Sequence, residues 1–263
     1  MNHLINVRGR LTDLSQPVVM GILNATPDSF YDGSRTMTEE AIAARTRQII
    51  DEGAGIIDVG ACSTRPGSEA ATEQEELHRL ELALRIVRSV APEIPVSVDT
   101  FRPTVARCCI EEWGADIVND VAPSPEMFDE VARLGVPYIL TSRAATMPEM
   151  LKELSGHVNA LHSRGHKDII VDPGFGFGKT LEQNFSVLKR LEQLQSLELP
   201  VLVGVSRKSM IFKTFGTSPR EALNGTTVIN TLALQKGAAI LRVHDVREAV
   251  ETITLLRKCS HSE

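Results

Sequence analysis

Polar side chains recur at one kind of place in this chain. Short apolar runs end in or lead into Asn24, Asp28, Thr64, Arg65, Asp99, Asn119, Asp172, Lys208, Arg242, His244 and Asp245. A charge at the end of a buried segment is costly unless it is paired or used. Asp58 or Asp245 taken alone reads as a structural ion pair. So many such ends together read as the wall of a single pocket. Arg242 and His244 stand two apart, so on a strand both side chains point the same way.

Familiar motifs fail at these positions. DPGFGFGKT (172–180) resembles a phosphate loop, but Pro173 stands where the first Gly is required, and as G-x-G-x-x-G it meets Lys179 at its last position. Gly204-Val205-Ser206 suggests a nucleophile elbow, yet Lys208 occupies the second Gly position. His3, His78, His157, His162 and His166 lack zinc-ligand spacing and read as surface or helix-face residues. Cys62, Cys108, Cys109 and Cys259 form no CxxC pair, which disfavours a redox or zinc knuckle site.

An alternation of two patterns must position the polar residues. Apolar runs at 18–25, 55–61, 95–100, 116–122, 137–142, 168–174, 201–206 and 239–245 are short and nearly continuous, as in parallel strands buried on both faces. Helical spacing fills 38–54, 72–91, 102–115, 124–135, 148–165, 181–197, 218–237 and 246–260. Thr38 and Thr72 read as helix caps with acids following, and Pro95, Pro137 and Pro200 open the next strand. Eight repeats over 263 residues predict an α/β fold, one (β/α)8 TIM barrel spanning 1–263 as a single domain. An open doubly wound sheet is the alternative. Val7-Arg8-Gly9-Arg10 with Leu11 suggests a hairpin plugging the barrel bottom. In a barrel the strand ends converge at the C-terminal face.

Composition narrows the partners. The chain is 42% hydrophobic and 24% charged with a net charge of −6, which argues against a broad nucleic-acid surface while allowing a small local anion site. No stretch approaches the ~20 apolar residues of a membrane span. The first residues lack the form of a secretory signal, so a cytoplasmic location is expected.

Taken in order, MGILNATPDSFYDG (20–33), DVGACSTRPG (58–67), SVDT (97–100), IVNDV (117–121), DPGFGFGK (172–179), VGVSRKS (203–209) and LRVHDV (241–246) resemble the dihydropteroate synthase family over about 18–250. The resemblance implies a barrel transferase of folate biosynthesis that joins p-aminobenzoate to 6-hydroxymethyl-7,8-dihydropterin pyrophosphate, with Mg²⁺. Matched residue by residue, it implies that Asp99, Asn119, Asp172 and Lys208 hold the pterin. Asn24, Arg242 and His244 would hold the pyrophosphate, with Asn24 also placing Mg²⁺. Thr64, Arg65, Pro66, Phe177, Lys208 and Ser209 would receive p-aminobenzoate. A dissociative reaction is implied, in which Asp28 and Asp99 stabilise a pterin cation and Lys208, Arg242 and His244 assist. Loops 20–33 and 61–68, with Asp28, Ser29 and Arg65, are expected to close late. The family is typically a homodimer, and 226–235 is apolar enough to contribute.

Two segments depart from the usual family pattern. Ala61-Cys62 replaces Gly-Glu, and Leu140-Thr141-Ser142-Arg143 replaces LMHM, which puts Thr141 where a Met usually packs on the pterin. The 148–165 stretch is also compact. A pterin-binding methyltransferase barrel and a non-catalytic pterin-binding module are the competing readings. The first has no need for SRKS, the TPDSF loop or the RVHD pair, and the second needs none of Asn24, Asp28, Arg242 and His244.

Overall fold

A computed structural model describes residues 3–25, 39–61 and 71–260. The chain opens with an antiparallel hairpin, β1 (Leu4–Val7) and β2 (Arg10–Asp13). Arg8 and Gly9 form its turn with φ of 54° and 75°. Both central residues at positive φ match the twist of the flanking strands.

Eight parallel strands follow: β3 (Val18–Asn24), β4 (Ile56–Gly60), β5 (Val96–Asp99), β6 (Ile117–Asp120), β7 (Tyr138–Thr141), β8 (Ile169–Asp172), β9 (Leu202–Val203) and β10 (Ile240–Val243). Their sheet order is β8-β7-β6-β5-β4-β3-β10-β9, and a Val171–Val201 bridge joins the two ends. The barrel is therefore closed, and the open-sheet alternative falls. Each strand lies inside its expected run. Pro95, Pro137 and Pro200 precede three of them and still give their carbonyls to Ile57, Val118 and Val171.

The helices are α1 (Glu39–Asp51), α2 (Glu73–Val90), α3 (Pro103–Glu111), α4 (Pro125–Leu134), α5 (Met147–His162), α6 (Leu181–Lys189), α7 (Ser209–Phe212), α8 (Leu223–Gln235) and α9 (Val246–Ser260). Thr72 caps α2 through a capping box with Glu75. The expected Thr38 cap lies outside the described residues. The 181–197 pattern divides, because Arg190 closes α6 with a tighter bond to Val187 and a 3₁₀ segment, Leu191–Leu197, follows. The 201–206 run keeps only two strand residues. Its chain then bends sharply through Arg207, at φ 55°.

Strand parity sorts the side chains. Met20, Ile56, Ile117, Ile139, Ile170, Leu202 and Ile240 fill the barrel's lower interior. Ile5, Val7 and Leu14 from the hairpin close that layer from below, as expected. Val19, Val59, Val98, Val118, Leu140, Val171 and Val243 point outward to the helices. Two residues further along the inward parity come Asp58, Asp99, Asn119, Asp172 and Arg242. The apolar floor thus lifts a polar layer to the C-terminal mouth.

Candidate active site

Arg242 is the centre of that layer. Its Nε donates to Asp58 Oδ2 at 2.6 Å, and its Nη2 donates to Asp99 Oδ2 at 2.6 Å. Asp58 is fully buried, and Asn119 Nδ2 also reaches its Oδ1 and Oδ2 at 3.4 and 3.3 Å. The structural ion pair expected of Asp58 exists, but it lies inside the pocket and links two of its walls. Asn119 Oδ1 is buried without a hydrogen-bond partner. A lone buried acceptor of this kind awaits a donor.

Neighbouring strands complete the wall. Gly60 lies between Asn24 and Asp99 in register, and a Cβ there would stand 3.7 Å from Asn24 Oδ1 and 3.5 Å from Asp99 Cβ. Its bareness keeps this part of the mouth open. Asp172 accepts the Gly174 N–H on Oδ1 at 2.8 Å, leaving Oδ2 without a hydrogen bond among the described residues. Gly174 sits at φ 64°, and a Cβ would approach the Ser142 carbonyl to 2.1 Å. Glycine is therefore required at this turn. The turn that fails as a phosphate loop serves instead to hold Asp172 and Phe177.

Lys208 crosses to the same turn. Its Nζ donates to the Phe175 carbonyl at 2.5 Å and lies 4.8 Å from the centre of the Phe177 ring. Ser209 begins the short α7 directly after it. His244 follows β10, with its N–H on Ser206 Oγ at 3.1 Å and its carbonyl taking a hydrogen bond from Arg45 at 2.7 Å. Asn24, Arg45, Gln48 and His244 line a groove of about 480 Å³ beside the mouth. Arg45 comes from α1, and its helical position gave no sign of this in the sequence.

Burial sets the electrostatics. It lifts Asp99 to about 7, helped by Asp58 and Asp120 and opposed by Arg242. It raises Asp172 against the pull of Lys208. Lys208 falls to about 8 through burial, with Asp172 opposing and Arg242 adding to the fall. Burial works against Arg242 as well, but Asp58 and Asp99 raise its pKa above that of free arginine. His244 drops to about 4 through burial and the charge of Arg242, so it is neutral at pH 7.

Thr141 is fully buried beside Asp172 in register, with its Oγ1 unpartnered. Ser142 Oγ turns away to Glu153. His166 departs from the surface reading, since it is buried against Tyr138. Asp28, Ser29, Cys62, Thr64, Arg65 and Pro66 lie outside the described residues. Asn24, Asp99, Asn119, Asp172, Phe177, Lys208, Ser209, Arg242 and His244 are all placed at or beside the mouth.

The profile of the pterin binding enzyme family matches residues 20–244. Dihydropteroate synthase of Escherichia coli K12 is 38% identical, with 95% of this chain and 94% of that protein covered. The Clostridium beijerinckii enzyme of the same name is 39% identical over 88% and 89%. The chain belongs to the pterin binding enzymes, among the dihydropteroate synthases. Solved dihydropteroate synthase structures agree. The Xanthomonas albilineans enzyme with 4-aminobenzoic acid superposes with a TM-score of 0.94 at 36% identity, covering 100% of both chains. The same enzyme in complex with 7,8-dihydropteroate gives 0.90 at 35%, covering 99% and 100%. A Yersinia pestis dihydropteroate synthase with a sulfonamide drug gives 0.89 at 33%, covering 98% and 100%. Family membership makes this chain a transferase.

Proposed function

We propose that this site condenses 6-hydroxymethyl-7,8-dihydropterin pyrophosphate with p-aminobenzoate to give 7,8-dihydropteroate and pyrophosphate. The observation that carries the reading is the Asp58–Arg242–Asp99 array, set beside two unsatisfied acceptors at the mouth of a closed barrel. Asp172 Oδ2 and Asn119 Oδ1 are free to take the neighbouring N–H donors of an aminopyrimidinone edge. Carboxylate acceptors make such contacts short and directional. Lys208 supplies a donor for the ring's acceptor atoms. Arg242, His244 and Asn24 form the diphosphate end, while Phe177, Lys208 and Ser209 face the arylamine. Thr64, Arg65 and Pro66 are carried into that last role by the resemblance.

The chemistry follows from this polarity. The C–O bond from the pterin methylene to the diphosphate breaks, and its electron pair leaves with pyrophosphate. Arg242 meets the charge that builds on the leaving group, the kind of fixed electrostatic support that lowers such barriers most. Asp99 and Asp28 stabilise the methylene cation, and the arylamine nitrogen then attacks and loses a proton. A dissociative course needs no covalent nucleophile from the protein, and a neutral His244 can donate a hydrogen bond without acting as a base.

Among the described residues no group of three His, Cys, Asp or Glu is placed to hold a metal ion. Asn24 offers one neutral oxygen at the mouth, with no hydrogen bond among the described residues. That suits Mg²⁺, which commonly keeps its waters and binds through substrate phosphates. Asn24 would hold the ion, and bound Mg²⁺ would supply further charge for the departing diphosphate. We also propose a homodimer, supported by Val228, Leu232 and Leu255, which are exposed on α8 and α9. The cytoplasmic location expected from the sequence goes with this reading.

A pyrophosphate-release assay tests it. Release should require both substrates, fall with a chelator, and drop at least 100-fold in Arg242→Ala at saturating substrate. Release that ignores p-aminobenzoate, or an unaffected Arg242→Ala, would sink the reading.

A further inference from the structure

An ion pair of two residues given no substrate role above joins the turn after β9 to the end of β10. Arg207 immediately precedes Lys208, and Asp245 immediately follows His244. Arg207 Nε donates to Asp245 Oδ2 at 2.9 Å and Nη2 donates to Oδ1 at 2.7 Å. Two parallel bonds of this kind fix orientation as well as distance. The third guanidinium nitrogen, Nη1, donates to the carbonyls of Pro219 and Arg220 at 3.0 and 2.8 Å. The Arg207 N–H bonds Thr226 Oγ1 in α8 at 3.1 Å. Next to it, Ser206 Oγ accepts the His244 N–H. The 219–220 turn, the start of α8 and the end of β10 are therefore pinned by two consecutive residues.

The backbone at Arg207 has φ 55°, a conformation that side chains other than glycine rarely adopt. Such a residue persists where its surroundings over-determine it, commonly beside a functional site. Here the bend turns the chain back on itself, so that the Lys208 N–H bonds the Val205 carbonyl and Lys208 Nζ reaches Phe175. Lys208 and Ser209 are aimed by the same bend that Asp245 anchors.

We propose that Arg207 is a positioning residue that couples the p-aminobenzoate half of the site to the diphosphate half, through its paired hydrogen bonds to Asp245. The proposal rests on the substrate roles given above to Lys208, Ser209 and His244. It assigns to the pair a consequence that simple scaffolding lacks: a change on one side of the mouth is felt as weaker binding on the other. A lysine at 207 keeps the charge but loses the fork.

The test uses the full chain with Arg207→Gln, Arg207→Lys, Asp245→Asn and the Arg207→Gln/Asp245→Asn double variant. KM for each substrate, kcat and melting temperature are measured for all of them. Asp245→Asn should raise the KM for p-aminobenzoate about tenfold, although Asp245 stands on the diphosphate side, and Arg207→Gln should raise the KM for the pterin diphosphate by a similar factor. The double variant should be no worse than the worse single, and Arg207→Lys should recover only part of the loss. A lower melting temperature with both KM values within about twofold of the parent would overturn the proposal, as would additive effects in the double variant. If Arg207→Gln does not fold, the Asp245→Asn and Arg207→Lys arms decide. Lys208→Met and His244→Asn separate the two levels of inference. If these leave both KM values unchanged, the substrate roles themselves fail. If they raise KM and the pair variants do not, only the role of Arg207 fails.

Discussion

Replacing Asp99 by Asn should stabilise the ligand-free protein at neutral and alkaline pH, even though it deletes an ion pair. Asp99 has an ordinary value near 3.8 when unfolded and about 7 when folded, because burial outweighs the attraction of Arg242. Between those values the folded state binds more protons than the unfolded one, so this group makes stability fall as pH rises. The loss is complete above about pH 7. A difference of about three units at about 1.36 kcal/mol each gives roughly 4 kcal/mol as an upper limit. Asparagine resembles the protonated acid and has no such charge to desolvate, while Asp58 still takes the Arg242 Nε. Variant and parent should therefore be about equally stable below about pH 3.8 and diverge steadily from there to about pH 7. His244, lowered to about 4 from 6.5, acts in the opposite sense, raising stability with pH between those values. It acts alike in both proteins, so the difference isolates Asp99. Urea unfolding followed by Trp113, the single tryptophan, measures it across that pH range. If Asp99→Asn is less stable than the parent at pH 8, or the difference does not change with pH, pairing outweighs burial and the reasoning is refuted.

The remaining predictions concern the turn and the surface. Gly174→Ala should cost about 3 kcal/mol or more, because it combines an unfavourable positive φ with a Cβ 2.1 Å from the Ser142 carbonyl. Gly135→Ala shares the positive φ but meets nothing within 4 Å, and should cost only about 1 kcal/mol, so comparing their thermal melts isolates the clash. Leu232→Glu with Leu255→Glu should convert a dimeric parent to a monomer by light scattering, with stability changed by less than about 1 kcal/mol at these exposed positions. A variant that remains dimeric would place the interface elsewhere.

The barrel was legible because each repeat states the same local rule. Runs such as GIIDVGA and DIIVDPG are short and almost wholly apolar, and α2 carries its Thr72 cap and its acids in the expected turn. The pocket was legible for a related reason: an Asp, Asn or Arg two residues above an inward Ile has to face the mouth. Asp58 shows where that reasoning stops. Its sequence context suggests an ion pair, but Arg242 lies 184 residues away, and only barrel closure makes the two adjacent. Arg207 carries no sign of its left-handed backbone, since glycine is the residue that announces one. Arg45 was equally silent, because a helix-borne charge ordinarily faces solvent. The break after α6 came from tighter local hydrogen bonding that hydrophobic spacing does not record.

The net charge of −6 allowed a small local anion site. The geometry refines that expectation. Among the described residues Asp58, Asp99 and Asp172 stand around Lys208 and Arg242, so the mouth is not an excess of cations. It is polarised instead. Free acceptors lie towards Asp172 and Asn119, while Arg242, His244 and Asn24 occupy the other side. A polarised site favours a ligand that is itself polarised, with N–H donors at one end and an anion at the other. Asp58 and Asp99 each hold one nitrogen of Arg242, so the direction of the cation is set by the barrel wall itself.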